Sequence, residues 1–91
     1  MIENPLCKED FAVATGTMAS AVNTSVSVPL PNGWSNEFTY AIGNIVKHSN
    51  GVWYSNNAVN IYGIDSNGVY VATTASAFLN QPFKILLKRI L

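Results

Sequence analysis

Alternation of apolar and polar residues, broken by Asn-Gly turns, is the sequence feature that most constrains the fold. In TSVSVPL, Val26, Val28 and Leu30 fall on one side and the serines on the other, as a strand with one buried face requires. EFTYAIGNIVKH and PFKILLKRIL repeat this period of two. A helical period of 3.6 residues extends nowhere beyond a turn or two, with ASAFLN the one candidate for a short helix. The chain is therefore expected to be all-β.

Two Ser-Asn-Gly turns, at 49–51 and 66–68, predict which strands are neighbours. Asn-Gly between β-branched and aromatic runs is the strongest short-range hairpin signal. The first turn predicts pairing of FTYAIGNIVKH with GVWYSNN, and the second predicts pairing of AVNIYGI with GVYVATT. PNG at 31–33 predicts a corner, and Gly43 predicts a β-bulge within a long strand.

The length of 91 residues allows one domain with one core. With a first strand in FAVATGTMA and a last one in PFKILLKRIL, the segments predict a small antiparallel β-sandwich of about six or seven strands. Residues 23–91 are expected to form this sandwich. Residues 1–22 are expected to be an N-terminal segment that either docks elsewhere or supplies the first strand.

Charge and hydropathy exclude several classes of partner. Five basic residues balance five acidic ones, and only 11% of residues are charged, against about 25% in an average soluble chain. No basic stripe is present to attract nucleic acid. The N-terminus lacks the pattern of a signal peptide, and no run approaches the ~18 apolar residues of a membrane span. We therefore expect a chain made in a cytoplasm, with no nucleic-acid partner and no membrane insertion.

The inventory of reactive side chains does not favour catalysis. Cys7 is the only cysteine and His48 the only histidine, so neither an intrachain disulfide nor a thiol-rich metal site can form. Asp65 opens the second turn, where capping of local N–H groups explains it better than calcium binding with Asn67. No phosphate loop or nucleophile elbow occurs. The prediction is a protein that is not an enzyme and has no metal or cofactor.

Aromatic and amide residues near the turns are the candidates for ligand binding. Aromatic faces beside amides suit sugars, because the rings stack on apolar CH surface and the amides bond hydroxyl groups. The candidates are Trp34, Asn36, Trp53, Asn56 and Asn57. Packing inside the domain is the competing interpretation for both tryptophans. Since alternation puts Trp53 and Tyr54 on opposite sides of a strand, at most one of them faces a ligand.

The apolar C-terminal strand predicts self-association. A charge-poor chain ending in ILLKRIL has more apolar strand surface than a monomer of this length is expected to cover, and contiguous exposed apolar area usually marks an interface. The predicted oligomer-interface residues are Ile85, Leu86, Leu87 and Ile90.

Residues 24–91 resemble the C-terminal β-domains of bacteriophage tail fibres and related virion attachment proteins. The resemblance lies in VSVPLPNGWSN, NIVKHSNGVWYSNN, IYGIDSNGVYV and PFKILLKRIL. It implies a trimeric β-sandwich located in the virion, with other virion proteins as partners. It also implies recognition of a host, including a surface glycan, through distal loops such as 32–36 and 55–57. The family supplies no catalytic residues to transfer.

Three functions are compatible with these observations. The first is a non-enzymatic virion structural protein, a fibre-type domain for oligomerisation and host attachment. The second is a lectin-like, carbohydrate-binding β-sandwich module. The third is a head-fibre, decoration or baseplate component, since such proteins are built similarly.

Overall fold

The computed structural model describes residues 9–91 as seven β-strands and one short 3-10 helix. The elements are β1 (Glu9–Thr17), β2 (Val26–Val28), β3 (Thr39–Lys47), β4 (Trp53–Tyr54), β5 (Val59–Asp65), β6 (Gly68–Thr73), the 3-10 helix (Ser76–Phe78) and β7 (Pro82–Ile90). They form a four-stranded sheet of order β1-β7-β3-β4 and a three-stranded sheet of order β2-β6-β5. Every strand pair is antiparallel. The predicted all-β sandwich of six or seven strands is confirmed. Within residues 9–91, no helix has the length and apolar character needed to cross a membrane.

The strand β7 organises the four-stranded sheet. It pairs with β1 over the whole length of both strands, from Glu9 opposite Ile90 to Thr17 opposite Pro82, and with β3 on its other side. Residues 9–17 therefore supply a strand of the sandwich, which is one of the two alternatives predicted for the N-terminal segment. The predictions for Cys7 and the rest of 1–8 lie outside the described residues.

Both predicted hairpins are present, but the two Ser-Asn-Gly sequences form different turns. In the first, the Gly51 N–H donates to the His48 carbonyl at 2.8 Å, and Gly51 has φ +89°. In the second, Asp65 pairs directly with Gly68, whose φ is +130°. A Cβ on Gly68 would lie 2.1 Å from the Val28 carbonyl oxygen. The second glycine is therefore required by two constraints, backbone conformation and close packing.

Each sheet contains one β-bulge next to a glycine. The register of β3 against β7 shifts between Ala41 and Gly43, which confirms the predicted bulge. The register of β5 against β6 shifts in the same way between Ile61 and Gly63, and this bulge was not predicted. A bulge sets two residues of one strand opposite one residue of the other.

The core lies between the sheets and draws heavily on β7. Phe83, Ile85 and Leu87 are fully buried and pack with Val69 and Val71 of β6. Burial of a side chain of this size contributes about 1.5–3 kcal/mol. The prediction that Ile85 and Leu87 form an oligomer interface is therefore wrong, because these side chains are enclosed within the single chain.

The face that β3 buries is the opposite of the one its hydrophobic residues suggest. Thr39 is buried, with its hydroxyl donating to the Ser35 carbonyl at 2.7 Å, and Ala41 packs against the core. Tyr40 and Ile42 are exposed. Small residues thus face the core in this half of β3, and the larger apolar ones face outward.

Candidate functional site

The two tryptophans predicted to bind a ligand lie in separate parts of the molecule. Trp34 packs against the core, and the Arg89 guanidinium lies 5.0 Å from its ring centroid. Trp53 lies beneath Lys84, whose Nζ is 4.2 Å from the ring centroid. Lys84 and Arg89 are about 17 Å apart along β7 at the usual rise of a strand, on opposite sides of it. A single site containing both tryptophans is therefore not formed.

Of the three asparagines predicted to bind a ligand, the one with a side-chain hydrogen bond uses it within its own loop. The Asn56 side-chain oxygen accepts the Ala58 N–H at 2.8 Å, which holds the loop before β5. Asn57 is exposed in the same loop, and Asn36 is half-buried in the loop before β3. These positions place loops 32–36 and 55–57 at the surface without building a shared pocket.

The packing of Trp53 differs from the interpretation that places it in the core. Trp53 pairs with Lys47 across the β3–β4 hairpin, and neighbouring Val46, on the other side of β3, is buried. The indole therefore lies on the outward side of the sheet and is half-buried there. Tyr54 lies on the other side of the hairpin, beside the His48 ring at 5.7 Å.

The side chains of His48 and Asp65 each accept a hydrogen bond from a backbone N–H group of the adjacent hairpin turn. The His48 Nδ1 accepts the Asn50 N–H at 3.1 Å. One Asp65 carboxylate oxygen accepts the Asn67 N–H at 2.7 Å, and the other accepts the Tyr70 O–H at 3.0 Å. Across the described part of the chain, no three or more His, Cys, Asp or Glu side chains are grouped as metal ligands. Asp65 thus acts as the predicted turn cap.

The outward side of the four-stranded sheet forms an exposed apolar face. Its large exposed side chains are Phe11, Val13, Tyr40, Ile42 and Leu86. Val13 is 62% exposed and Leu86 is 39% exposed. Leu86 was a predicted interface residue, and Ile90, another, is half-buried near the end of β7. The other four side chains were not predicted to lie at an interface, although the period of two in β1 and in β3 places each pair on one side of its strand.

A groove of about 490 Å³ crosses this apolar face over the bulge at Gly43. Val13, Ile45, Leu86 and Lys84 line it. Across the face, Lys88 lies 5.5 Å from the Phe11 ring centroid. The lysines thus border the apolar face while their charges rest against aromatic rings.

The outward side of the three-stranded sheet is a tyrosine face with different chemistry. A depression of about 410 Å³ lies over the second bulge, lined by Asn23, Ser25, Tyr62, Gly63 and Tyr70. Tyr62 is 61% exposed. Asp65 is the only charged residue in β2, β5 and β6. The sequence IYGI places a glycine inside an alternating strand, as AIGN does at the predicted bulge. This signal could have identified the second bulge and therefore the depression above it.

The two faces differ in what they can do chemically. The apolar face can bury side chains against another protein surface, and the tyrosine face can stack on and hydrogen-bond a small neutral ligand.

A scan of protein-family models, a search of curated proteins and a search of solved structures each find no match to this chain.

Proposed function

We propose that this chain is a non-enzymatic virion structural protein, a fibre-type domain that forms a homotrimer and attaches the particle to a host surface. The observation that carries the assembly half is the apolar face. Five large apolar side chains are exposed there on three adjacent strands. The virion and host-attachment half is supported by the resemblance of residues 24–91 to tail-fibre domains.

Self-association is supported by the free energy available from burying the apolar face. Monomeric proteins rarely expose contiguous apolar patches larger than a few hundred Å². Moving a fully exposed large apolar side chain out of water contributes about 1.5–3 kcal/mol, and a side chain that is already partly covered contributes in proportion to its remaining exposed area. Phe11 and Val13 on β1 and Tyr40 and Ile42 on β3 are well over a third exposed. An oligomer in which these residues are covered would be favoured over the monomer.

The charges on the same face favour a cyclic trimer over a two-fold dimer. Lys47 and Lys84 lie on the outward side of β3 and β7. A two-fold dimer formed by this face would bring two copies of the same lysine-bearing patch into one interface, because such an interface pairs a patch with itself. Like charges brought together at an interface are costly. A cyclic trimer instead lets the face contact a different surface of the neighbour.

A head-fibre, decoration or baseplate component would assemble through the same face. The chemistry of the apolar face is common to all of these placements. The fibre-type proposal differs in requiring a free surface for the host, and loops 32–36 and 55–57 together with the tyrosine face are the surfaces that such a trimer would leave available.

Light scattering on the purified chain tests the assembly half. We expect a mass about three times the 9.8 kDa of the chain at micromolar concentration. The double variant Val13→Glu/Ile42→Glu should weaken association by at least about 100-fold, because burial of unpaired carboxylates costs several kcal/mol. Both side chains are at least half exposed, so the variant should still fold.

The matched control is Ser27→Glu/Asn60→Glu on the three-stranded sheet, at two exposed positions. Its mass should equal that of the wild type. A wild-type monomer at micromolar concentration would overturn the assembly proposal. Dissociation by the control but not by Val13→Glu/Ile42→Glu would show that the apolar face is not the interface.

A further inference from the structure

We infer that the depression between Tyr62 and Tyr70 is a binding site for a neutral saccharide. The inference gives a ligand class to the attachment half of the proposed function and rests on it for its biological setting. The residues of the proposed saccharide site belong to the tyrosine face, which is on the opposite side of the sandwich from the apolar face. It also differs from the tryptophan and amide residues that sequence patterns favour for sugar binding.

Gly63 keeps the floor of the depression open. It pairs with Tyr70 across the bulge, and its φ is not in the left-handed region. A Cβ added there would meet no atom within 4 Å. Neither backbone conformation nor internal packing therefore requires glycine at this position. A methyl group would instead occupy part of the space that a ligand needs, since Gly63 lines the depression.

Tyr62 supplies an exposed aromatic surface beside this floor. Its side chain is 61% exposed, on the sheet face that also carries Tyr70 and Asp65. An aromatic ring can bury the apolar CH groups of a sugar while leaving the hydroxyl groups of the sugar to polar neighbours. Asn23 and Ser25 line the same depression, and their side chains can both donate and accept hydrogen bonds.

The hydrogen bond of Tyr70 determines which ligands its hydroxyl can bond. The proton of this hydroxyl is donated to the Asp65 carboxylate at 3.0 Å, and a carboxylate can only accept. The other oxygen of Asp65 accepts the Asn67 N–H at 2.7 Å, which fixes the acceptor in place. The Tyr70 oxygen is thus left with acceptor capacity toward a ligand. A sugar O–H matches this requirement.

The same hydrogen bond disfavours a proline-rich peptide, the other class of ligand that tyrosine-lined grooves bind. Proline has no N–H, so such a segment presents mainly carbonyl acceptors, and Tyr70 cannot donate to them while bonded to Asp65. Acidic sugars are also disfavoured. Asp65 is the only charged residue of the three strands, and it would repel an anionic group.

Titration of the 15N-labelled full chain with single sugars tests the site by NMR. The probes are glucose, galactose, mannose and N-acetylglucosamine, each at up to about 50 mM, a concentration that would saturate a site with a Kd of about 1 mM. N-acetylneuraminic acid and a proline-rich decapeptide are the comparison ligands. At least one neutral sugar should give saturable shifts at Asn23, Tyr62, Gly63 and Tyr70, and the comparison ligands should give none.

Gly63→Ala is the decisive variant, with Gly43→Ala as its matched control. Both glycines are bulge residues at which a Cβ meets nothing within 4 Å, so both variants should fold as the wild type does. Gly63→Ala should weaken sugar binding at least about tenfold, and Gly43→Ala should leave it unchanged. Tyr62→Ala should abolish the saturable shifts.

Several outcomes would overturn the inference. They are the absence of saturable shifts with every neutral sugar, binding of the acidic sugar or the decapeptide in preference, shifts confined to 32–36 and 55–57, and equal effects of the two alanine variants. Light scattering on the same samples separates this inference from the proposed function. A trimer without sugar binding overturns the saccharide site alone, and a monomer that binds sugar overturns the assembly proposal alone.

Discussion

The two sheets use the same backbone features and carry different surfaces. Each contains a Ser-Asn-Gly hairpin and a bulge at an X-Gly pair, and each bulge lies under a depression on the outer side. Over Gly43 the depression is lined by the apolar side chains of Val13, Ile45 and Leu86 together with Asn44, Ser55 and Lys84. Over Gly63 the depression is lined by two tyrosines, an asparagine and a serine. The bulge therefore provides the shape, and the neighbouring strands determine the chemistry.

The two hairpins also differ in how tightly the surrounding structure packs around the glycine of each turn, Gly51 or Gly68. A Cβ on Gly51 would have no neighbour within 4 Å, whereas one on Gly68 would collide with the end of β2. Gly51 is exposed and Gly68 is buried. The second hairpin is thus tied into the sandwich, and the first ends in a turn that projects from it.

The largest expected effect on stability distinguishes the two hairpin glycines. Gly68→Ala should lower the free energy of unfolding by about 3–5 kcal/mol, because a strained backbone adds to overpacking against Val28. Gly51→Ala should cost about 1–2 kcal/mol, from its positive φ alone. Urea unfolding followed by circular dichroism measures both. Equal losses would mean that the packing of Gly68 against β2 contributes nothing.

A smaller effect is expected from the side chains that cap the turns. Asp65→Ala should cost about 1–3 kcal/mol, since it removes the acceptor of the Asn67 N–H and of the partly buried Tyr70 hydroxyl. Asn50→Ala removes two exposed bonds, one accepted from the Val52 N–H and one donated to the Tyr54 hydroxyl, and should cost about 0.5–1 kcal/mol because water replaces both partners.

The same unfolding assay compares these two capping variants. Asp65→Asn is the intermediate case, because it keeps an acceptor oxygen and loses the charge. An Asn50→Ala loss as large as that of Asp65→Ala would contradict the tighter attachment of the second hairpin.

The smallest effect concerns the lysines of the apolar face. Lys84→Met should keep the packing of the alkyl chain and lose the cation–π contact with Trp53, for a cost of about 0.5–1 kcal/mol. Its tryptophan emission should shift. Lys47→Met, on the strand paired with Trp53, is the control and should shift it less; Trp34 contributes equally to both spectra. Identical spectra for Lys84→Met and the wild type would indicate that the contact is absent in solution.

Local sequence patterns determined much of the fold. The strands around Val26–Val28 and Pro82–Ile90, both hairpins, the bulge at Gly43 and the turn cap at Asp65 could all be predicted. Each depends on interactions within a few residues, such as positive φ at glycine, capping by a short acid, and alternation along a strand. Such signals are present in the sequence whichever partners the strands later find.

Only the tertiary structure decided which side of each strand faces inward. Alternation defines two sides, but in β7 both sides carry leucine, and pairing with β1 and β3 buried Leu87 while leaving Leu86 at the surface. In β3 the register placed Thr39 inside and Tyr40 outside, because packing of the two sheets favoured small residues there. The depression between Tyr62 and Tyr70 arises likewise from residues on different strands. The sequence alone determined the strands and turns, and the long-range packing of the sheets determined the surfaces.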